Sequence, residues 1–164
     1  MKTIGPWLVV GVALGVLILF ALPAQNRNPV LAEDFTLLSL TGEPVTLSDY
    51  RGQVVILDFW ASWCSPCVET LPELHELAQA YADRGVILLG VSVDRNVNSA
   101  KRFVADAGLP PSAFLWESRE ASQRVKELYG VRGIPKTFVI DRQGYVRFSA
   151  HPAYLTPEKL EAWL

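Results

Sequence analysis

A chain of 164 residues that is 50% hydrophobic and 20% charged holds one packed domain plus an apolar appendage. Its net charge of −2, with no Lys/Arg block, argues against nucleic acid and against a polybasic membrane-surface site, because both need a basic footprint. The two cysteines are too few for a disulfide-rich secreted scaffold.

Thr3 to Asn26 carries no charged side chain, and Trp7 to Leu22 is almost wholly aliphatic. At about 1.5 Å per residue, Ile4 to Pro23 reaches across a hydrocarbon core of about 30 Å. Lys2 precedes the segment and Arg27 follows it, an arrangement that suits an N-terminal signal-anchor over residues 1–26. A cleavable signal peptide, with small residues at Val30-Leu31-Ala32, is the alternative, and a buried helix is the plainest reading. Anchor and signal peptide both predict that the rest of the chain lies outside the cytoplasm. Residues 27–33 read as a linker, and residues 34–164 as the folded domain.

Phe35 to Leu40 alternates like a short strand, and Val45 to Leu47 pairs back across the turn Thr41-Gly42-Glu43-Pro44. Val54 to Trp60 is apolar except for Asp58, as expected of a strand covered on both faces. A helix is expected from Ser65 to Arg84, with Leu71, Leu74, Leu77, Ala78 and Tyr81 on one face and Gly85 ending it. Val86 to Val93 is the next strand, so the three elements make a βαβ unit with parallel pairing. Helices follow at Val97–Ala107 and Glu120–Tyr129, stopped by Gly108 and Gly130, with a short strand at Phe114–Trp116 between them. Thr137–Ile140 and Tyr145–Ser149 flank a hairpin turn, and Thr156-Pro157-Glu158 starts a last helix running to Leu164.

Cys64 and Cys67 stand where the Val54–Trp60 strand has ended and a helix begins. A bridge between them closes too small a loop to stabilise the fold much. Unpaired N–H groups and the positive end of the helix dipole favour thiolate at Cys64, and the thiolate is the nucleophile. Cys67, one turn further on, shares that face and can resolve a mixed disulfide on Cys64. Between them Pro66 is tolerated because a first-turn N–H has no partner. Other readings are a metal site or an inert pair. Val68 stands where haem attachment needs His, and His75 lies about 12 Å along the helix from Cys67, too far to share a metal ion. Asp58 is costly in an apolar strand, and burial there raises a carboxyl pKa. The alternative places Asp58 at an open strand end with its carboxylate in water.

The run Val55-Ile56-Leu57-Asp58-Phe59-Trp60-Ala61-Ser62-Trp63-Cys64-Ser65-Pro66-Cys67 resembles the active-site strand and helix start of thioredoxins. The apolar N-terminus, the insertion at Asn96–Glu117 and Tyr129-Gly130-Val131-Arg132-Gly133-Ile134-Pro135-Lys136-Thr137-Phe138-Val139-Ile140-Asp141 resemble the extracytoplasmic TlpA/DsbE type within the redoxin (AhpC/TSA-like) superfamily. The resemblance covers roughly Asp34 to the C-terminus. It implies an α/β, thioredoxin-like fold with a central mixed sheet flanked by helices. It also implies thiol–disulfide oxidoreductase activity, with Cys64 attacking and Cys67 resolving.

By the same resemblance Ile134-Pro135 is a cis peptide lying against the disulfide, where composition alone favours an ordinary trans proline before a strand. Asp58 becomes the proton acceptor for Cys67. Trp63, Ser65, Pro66 and Ile134 become the substrate-facing residues. No cofactor is implied beyond the redox-active Cys64–Cys67 disulfide, and no metal. The implied partners are protein thiols and disulfides, with apocytochrome c in cytochrome c maturation as one substrate class, and a membrane thiol-reductant donor. Two positions depart from the subgroup: Thr70 stands where many members have Glu, and Asp58 where many have Asn.

Two rival functions follow from the same fold. A peroxide reductase needs Pro and Thr or Ser at the places held by Leu57 and Ala61. A binding module without turnover, a metal or apoprotein chaperone, more often has a wider cysteine spacing and a nearby His. Trp60 reads as packing, His75 as a solvated helix residue, and Glu69, Glu73 and Glu76 as an exposed face.

Overall fold

Val54–Trp60 is buried along its whole length and forms the centre of a six-stranded sheet. The computed structural model describes residues 29–164. The anchor expected over Ile4–Pro23 lies outside them. Among the described residues no helix is long and apolar enough to cross a membrane.

The elements in chain order are β1 (Val30–Leu31), β2 (Thr36–Leu38), β3 (Pro44–Thr46), β4 (Val54–Trp60), α1 (Ser65–Ala80), β5 (Val86–Ser92) and α2 (Val97–Asp106). Then come β6 (Phe114–Leu115), α3 (Arg119–Leu128), β7 (Lys136–Ile140), β8 (Tyr145–Ala150) and α4 (Pro157–Glu161). The main sheet runs β1-β8-β7-β4-β5-β6, and β2-β3 is a separate hairpin. β4, β5 and β6 are parallel neighbours, whereas β7 and β8 run antiparallel, so the sheet is mixed.

Side chains alternate across β4, and each face meets its own core. Val54, Ile56 and Trp60 pack with Leu71, Leu74 and Ala78 of α1 and with Ala100 and Val104 of α2. Val55, Leu57 and Phe59 pack with Leu37 and Val45 of the small hairpin and with Ala121 and Val125 of α3. Two covered faces explain why β4 reads as a continuous apolar run. Each large side chain it buries contributes about 1.5–3 kcal/mol. Gly90 in β5 is required by this packing: a Cβ there would lie 2.5 Å from the Phe114 ring and 3.1 Å from Trp60 Nε1.

Several elements differ from the expectation in extent. Val30, expected in the linker, pairs with Val146, and Leu31 pairs with Tyr145, so β1 extends the sheet edge. Such a pair carries no local signal because its partner is over a hundred residues away. β2 stops at Leu38 because Ser39 bridges to Leu115 and the Leu40 N–H donates to the Phe114 carbonyl. α1 ends at Ala80, and a 3-10 turn over Ala82–Arg84 leads to Gly85, whose φ of 75° is the left-handed geometry glycine permits. α3 begins at Arg119 because the Ser118 hydroxyl accepts from the Ala121 N–H. α4 is only Pro157–Glu161, with Thr156 capping the Lys159 N–H.

Candidate active site

Cys64 is the N-cap of α1, with φ −94° and ψ 98°. Its carbonyl accepts from the N–H groups of Cys67 and Val68, and its own N–H donates to Ala61. The two sulfurs are joined as a disulfide, with Cα atoms 5.2 Å apart. Cys64 keeps 7% of its surface exposed while Cys67 has none. Of the two cysteines, Cys64 is therefore the one that meets solvent. Ser65 and Pro66 are exposed at the helix start, and Trp63 beside the bridge is 66% exposed.

Asp58 lies on β4 between Ile56 and Trp60, and so projects to the face covered by α1 and carrying Cys67. It is fully buried, which excludes the reading of a carboxylate in water. Thr137 Oγ1 donates to Asp58 Oδ1 at 2.6 Å, while Oδ2 has no partner among the described residues. Burial raises the Asp58 pKa to about 7, and the Thr137 hydrogen bond opposes that rise without cancelling it. A buried carboxyl poised near neutrality with one unused oxygen is equipped to exchange a proton.

The Ile134-Pro135 peptide is cis. Pro135 is buried and leads directly into β7, whose Lys136 and Thr137 pair with Phe59 and Asp58. Ile134 packs against the core that holds both cysteines, and it shares a surface cleft with Trp63. The fold thus gathers Asp58, Cys64, Cys67, Trp63, Ile134 and Pro135 at the C-terminal end of β4, from positions spread over 78 residues of sequence. Thr70 donates its hydroxyl to the Pro66 carbonyl at 2.9 Å, inside the helix, and Glu69 beside it is exposed. No acid replaces the subgroup's glutamate at that place.

Sequence reasoning missed Asp94. It is 1% exposed, and it accepts from the Ser62 N–H at 3.0 Å, the Ser62 hydroxyl at 2.7 Å and the Ser92 hydroxyl at 2.9 Å. Its carbonyl accepts from Trp116 Nε1. This network holds the loop that carries Trp63 and Cys64. An acid directly after the β5 run was the available signal. Thr137, the partner of Asp58, was also missed. Trp60 is core, wedged against Phe103 and Phe114. His75 is half-buried on α1 in a shallow pocket with Pro110 and Ala113. Among the described residues no group of His, Cys, Asp and Glu could hold a metal ion.

The model of the AhpC/TSA family matches residues 30–149, from β1 to all but the last residue of β8, and includes the whole site just described. The chain belongs to the AhpC/TSA family. Within it, the chain is 37% identical over 116 residues to the thiol-disulfide oxidoreductase ResA of Geobacillus kaustophilus, covering 71% of this chain and 64% of that one. It is 33% identical to ResA of Bacillus thuringiensis, over 81% of this chain and 74% of that one. The chain therefore spans 64% of the length of the first curated relatives it matches, under two thirds. Among solved structures, a candidate thiol:disulfide interchange protein DsbE from Chlorobium tepidum superposes with a TM-score of 0.70 at 35% identity, covering 84% of this chain and 94% of that one. The thioredoxin domain of a Bacteroides vulgatus thiol-disulfide oxidoreductase gives a TM-score of 0.72 at 26% identity, over 83% and 94% of the two chains. The fold expected from the sequence, a thioredoxin-like α/β domain with a central mixed sheet, is the fold found.

Proposed function

We propose that this AhpC/TSA-family chain is a thiol–disulfide oxidoreductase that reduces protein disulfides outside the cytoplasm. The observation that carries the reading is the pairing of a partly exposed Cys64 at the N-terminus of α1 with a fully buried Cys67 one turn behind it. Relatives named as thiol-disulfide oxidoreductases support it.

In the reducing direction the Cys64 thiolate attacks a substrate disulfide. The Cys64–substrate bond forms, the substrate S–S bond breaks, and the departing sulfur takes a proton. Asp58 accepts the Cys67 proton. The Cys67 thiolate then attacks Cys64, closes the Cys64–Cys67 bridge and releases the second substrate thiol. Two electrons pass to the substrate, and a thiol donor must return them. Helix N–H groups and the dipole favour the Cys64 thiolate before it attacks. Pro135, Ile134, Trp63, Ser65 and Pro66 are the surface that an incoming chain meets. The redox-active disulfide is itself the only cofactor the reading requires.

The apolar segment Ile4–Pro23 supports an anchored, single-pass arrangement with the domain on the extracytoplasmic side. A membrane thiol-reductant donor and apocytochrome c are the electron source and substrate that fit such a location.

Insulin reduction with a Cys64→Ala control tests the activity. Turnover by the natural chain that the variant lacks is expected, and no thiol turnover by either would support a binding module instead. The reduction potential tests the direction: a value near −270 mV, as in thioredoxin, supports a reductant, and one near −120 mV overturns that assignment. Protease access in right-side-out vesicles tests the topology, and protection of the domain would overturn it.

A further inference from the structure

The groove beside the disulfide is lined with cations that the sequence scatters. A cleft of about 600 Å³ lies along Trp63, Asp94, Arg95 and Arg119. A second, of about 330 Å³, lies along Trp63, Lys126, Arg132 and Ile134. The two share Trp63, Val93 and Gln123, so they form one groove running past the exposed indole to Ile134. Arg119 and Lys126 are two turns apart on one face of α3, Arg95 follows β5, and Arg132 precedes the cis proline. Arg95, Arg119 and Arg132 are exposed, and none of the four cations is in an ion pair among the described residues.

Among the described residues the one carboxylate lining the groove is Asp94, which is buried and already accepts from Ser62 and Ser92. Glu69, Glu73 and Glu76 are exposed along α1 and line neither cleft. A chain with net charge −2 thus concentrates four cations in the groove beside its disulfide, while the exposed Glu120 and Glu127 of α3 line neither cleft.

We propose that this groove docks an extended segment of the substrate protein that carries carboxylates on one side of its disulfide, and that this charge pattern sets both the choice and the orientation of the substrate. The inference rests on the oxidoreductase reading above and adds a substrate class to it. Trp63 supplies an apolar face for the residues next to the disulfide, and the cations steer and hold the acidic flank. The pattern also disfavours a basic flank on the α3 side, where like charges would meet.

The test uses the reduced full chain and synthetic peptides that each contain one disulfide with three Glu, three Gln or three Lys on one flank. Every rate is divided by that of the same protein with hydroxyethyl disulfide, a small uncharged substrate. At low salt the Glu peptide is expected to react about tenfold faster than the Gln peptide, and the Lys peptide slowest, with the spread collapsing at high salt. The triple variant Arg119→Glu/Lys126→Glu/Arg132→Glu is expected to invert the order, whereas Arg84→Glu, far from the groove, keeps it. Equal normalised rates for the three peptides at low salt overturn the proposal even when hydroxyethyl disulfide is reduced. Failure to reduce hydroxyethyl disulfide at all overturns the oxidoreductase reading instead. If the triple variant does not fold, the salt dependence of the natural chain and an Arg119→Gln/Lys126→Gln variant decide: an unchanged peptide order spread in that variant counts against the groove.

Discussion

Thr137 Oγ1 donates to Asp58 Oδ1 at 2.6 Å, across the register pair that joins β7 to β4. The bond ties the strand entered through cis Pro135 to the strand that ends at the cysteines. It leaves Asp58 Oδ2 without a partner among the described residues, in a fully buried position. One hydrogen bond thus fixes the carboxyl and leaves its other oxygen available.

The first prediction concerns pH and stability. The folded Asp58 pKa of about 7 lies above its ordinary value of 3.8. Between those values the folded chain binds more protons than the unfolded one, so this group's contribution to stability falls as pH rises through the window and is level above it. Asp141 runs the opposite way: burial pushes its pKa up, but the Tyr145 N–H and the Arg147 guanidinium outweigh that and hold it low. The contribution of Asp58 is therefore read as natural chain minus Asp58→Asn, by urea unfolding of the oxidised proteins from pH 4 to pH 8. The difference should decline from pH 4 towards pH 7 and level off above it. A difference independent of pH refutes the assignment.

The second concerns catalysis by the same residue. If Asp58 takes the Cys67 proton, Asp58→Asn slows release of the mixed disulfide by about 100-fold, the usual scale for a positioned base. Acid-quenched mass spectra should then show the Cys64–substrate adduct accumulating. The limb of the pH–rate profile near 7 should disappear. An Asp58→Asn variant that slows the first attack without accumulating adduct would assign the carboxyl to Cys64 instead.

The third concerns the loop that carries Cys64. Asp94→Ala strips acceptors from two Ser62 donors and from Ser92 at a nearly buried site. Each unmet buried donor costs about 1–3 kcal/mol, so the midpoint of urea unfolding should drop clearly. Exchange should slow as well, since Ser62 stands two residues before Cys64. Asn at the same place retains acceptors for part of the network and should recover part of both losses.

The fourth concerns packing. Gly90→Ala drives a methyl into the Phe114 ring from a central strand, and overpacking of this kind costs about 1–3 kcal/mol. Gly133→Ala meets no atom within 4 Å and should change stability by less than about 0.5 kcal/mol. A lower unfolding midpoint for the first with an unchanged m-value, and none for the second, is the expected result.

Much of the site was legible in the sequence because its signals are local. Cys64 and Cys67 are one helical turn apart at a strand-to-helix junction, and neither the turn nor the helix start depends on distant residues. Asp58 stood out because a lone acid in an apolar run is conspicuous, and its burial followed from a strand covered on both faces. The composition of Val86–Ser92 and the capping residue Thr156 placed further elements for the same local reason.

The tertiary structure decided what depends on residues meeting from far apart. Val30–Leu31 became an edge strand only because β8 offers it unpaired backbone groups. Asp94 gained its part through Ser62, 32 positions away, and the pattern of neither residue hints at the other. Thr137 and Asp58 meet across 79 positions. Arg95, Arg119, Lys126 and Arg132 form no block in the chain, and they line one groove because β5, α3 and the approach to β7 converge beside Trp63. Sequence by itself marked the Cys64–Cys67 pair and the strand–helix–strand unit around it, since helix starts and strand periods are set by near neighbours, and the resemblance of Val55–Cys67 to thioredoxins implied the fold class. What surrounds the pair, and how its charge is arranged, was decided by the folded sheet, because hydrogen bonds and electric fields act through space and not along the chain.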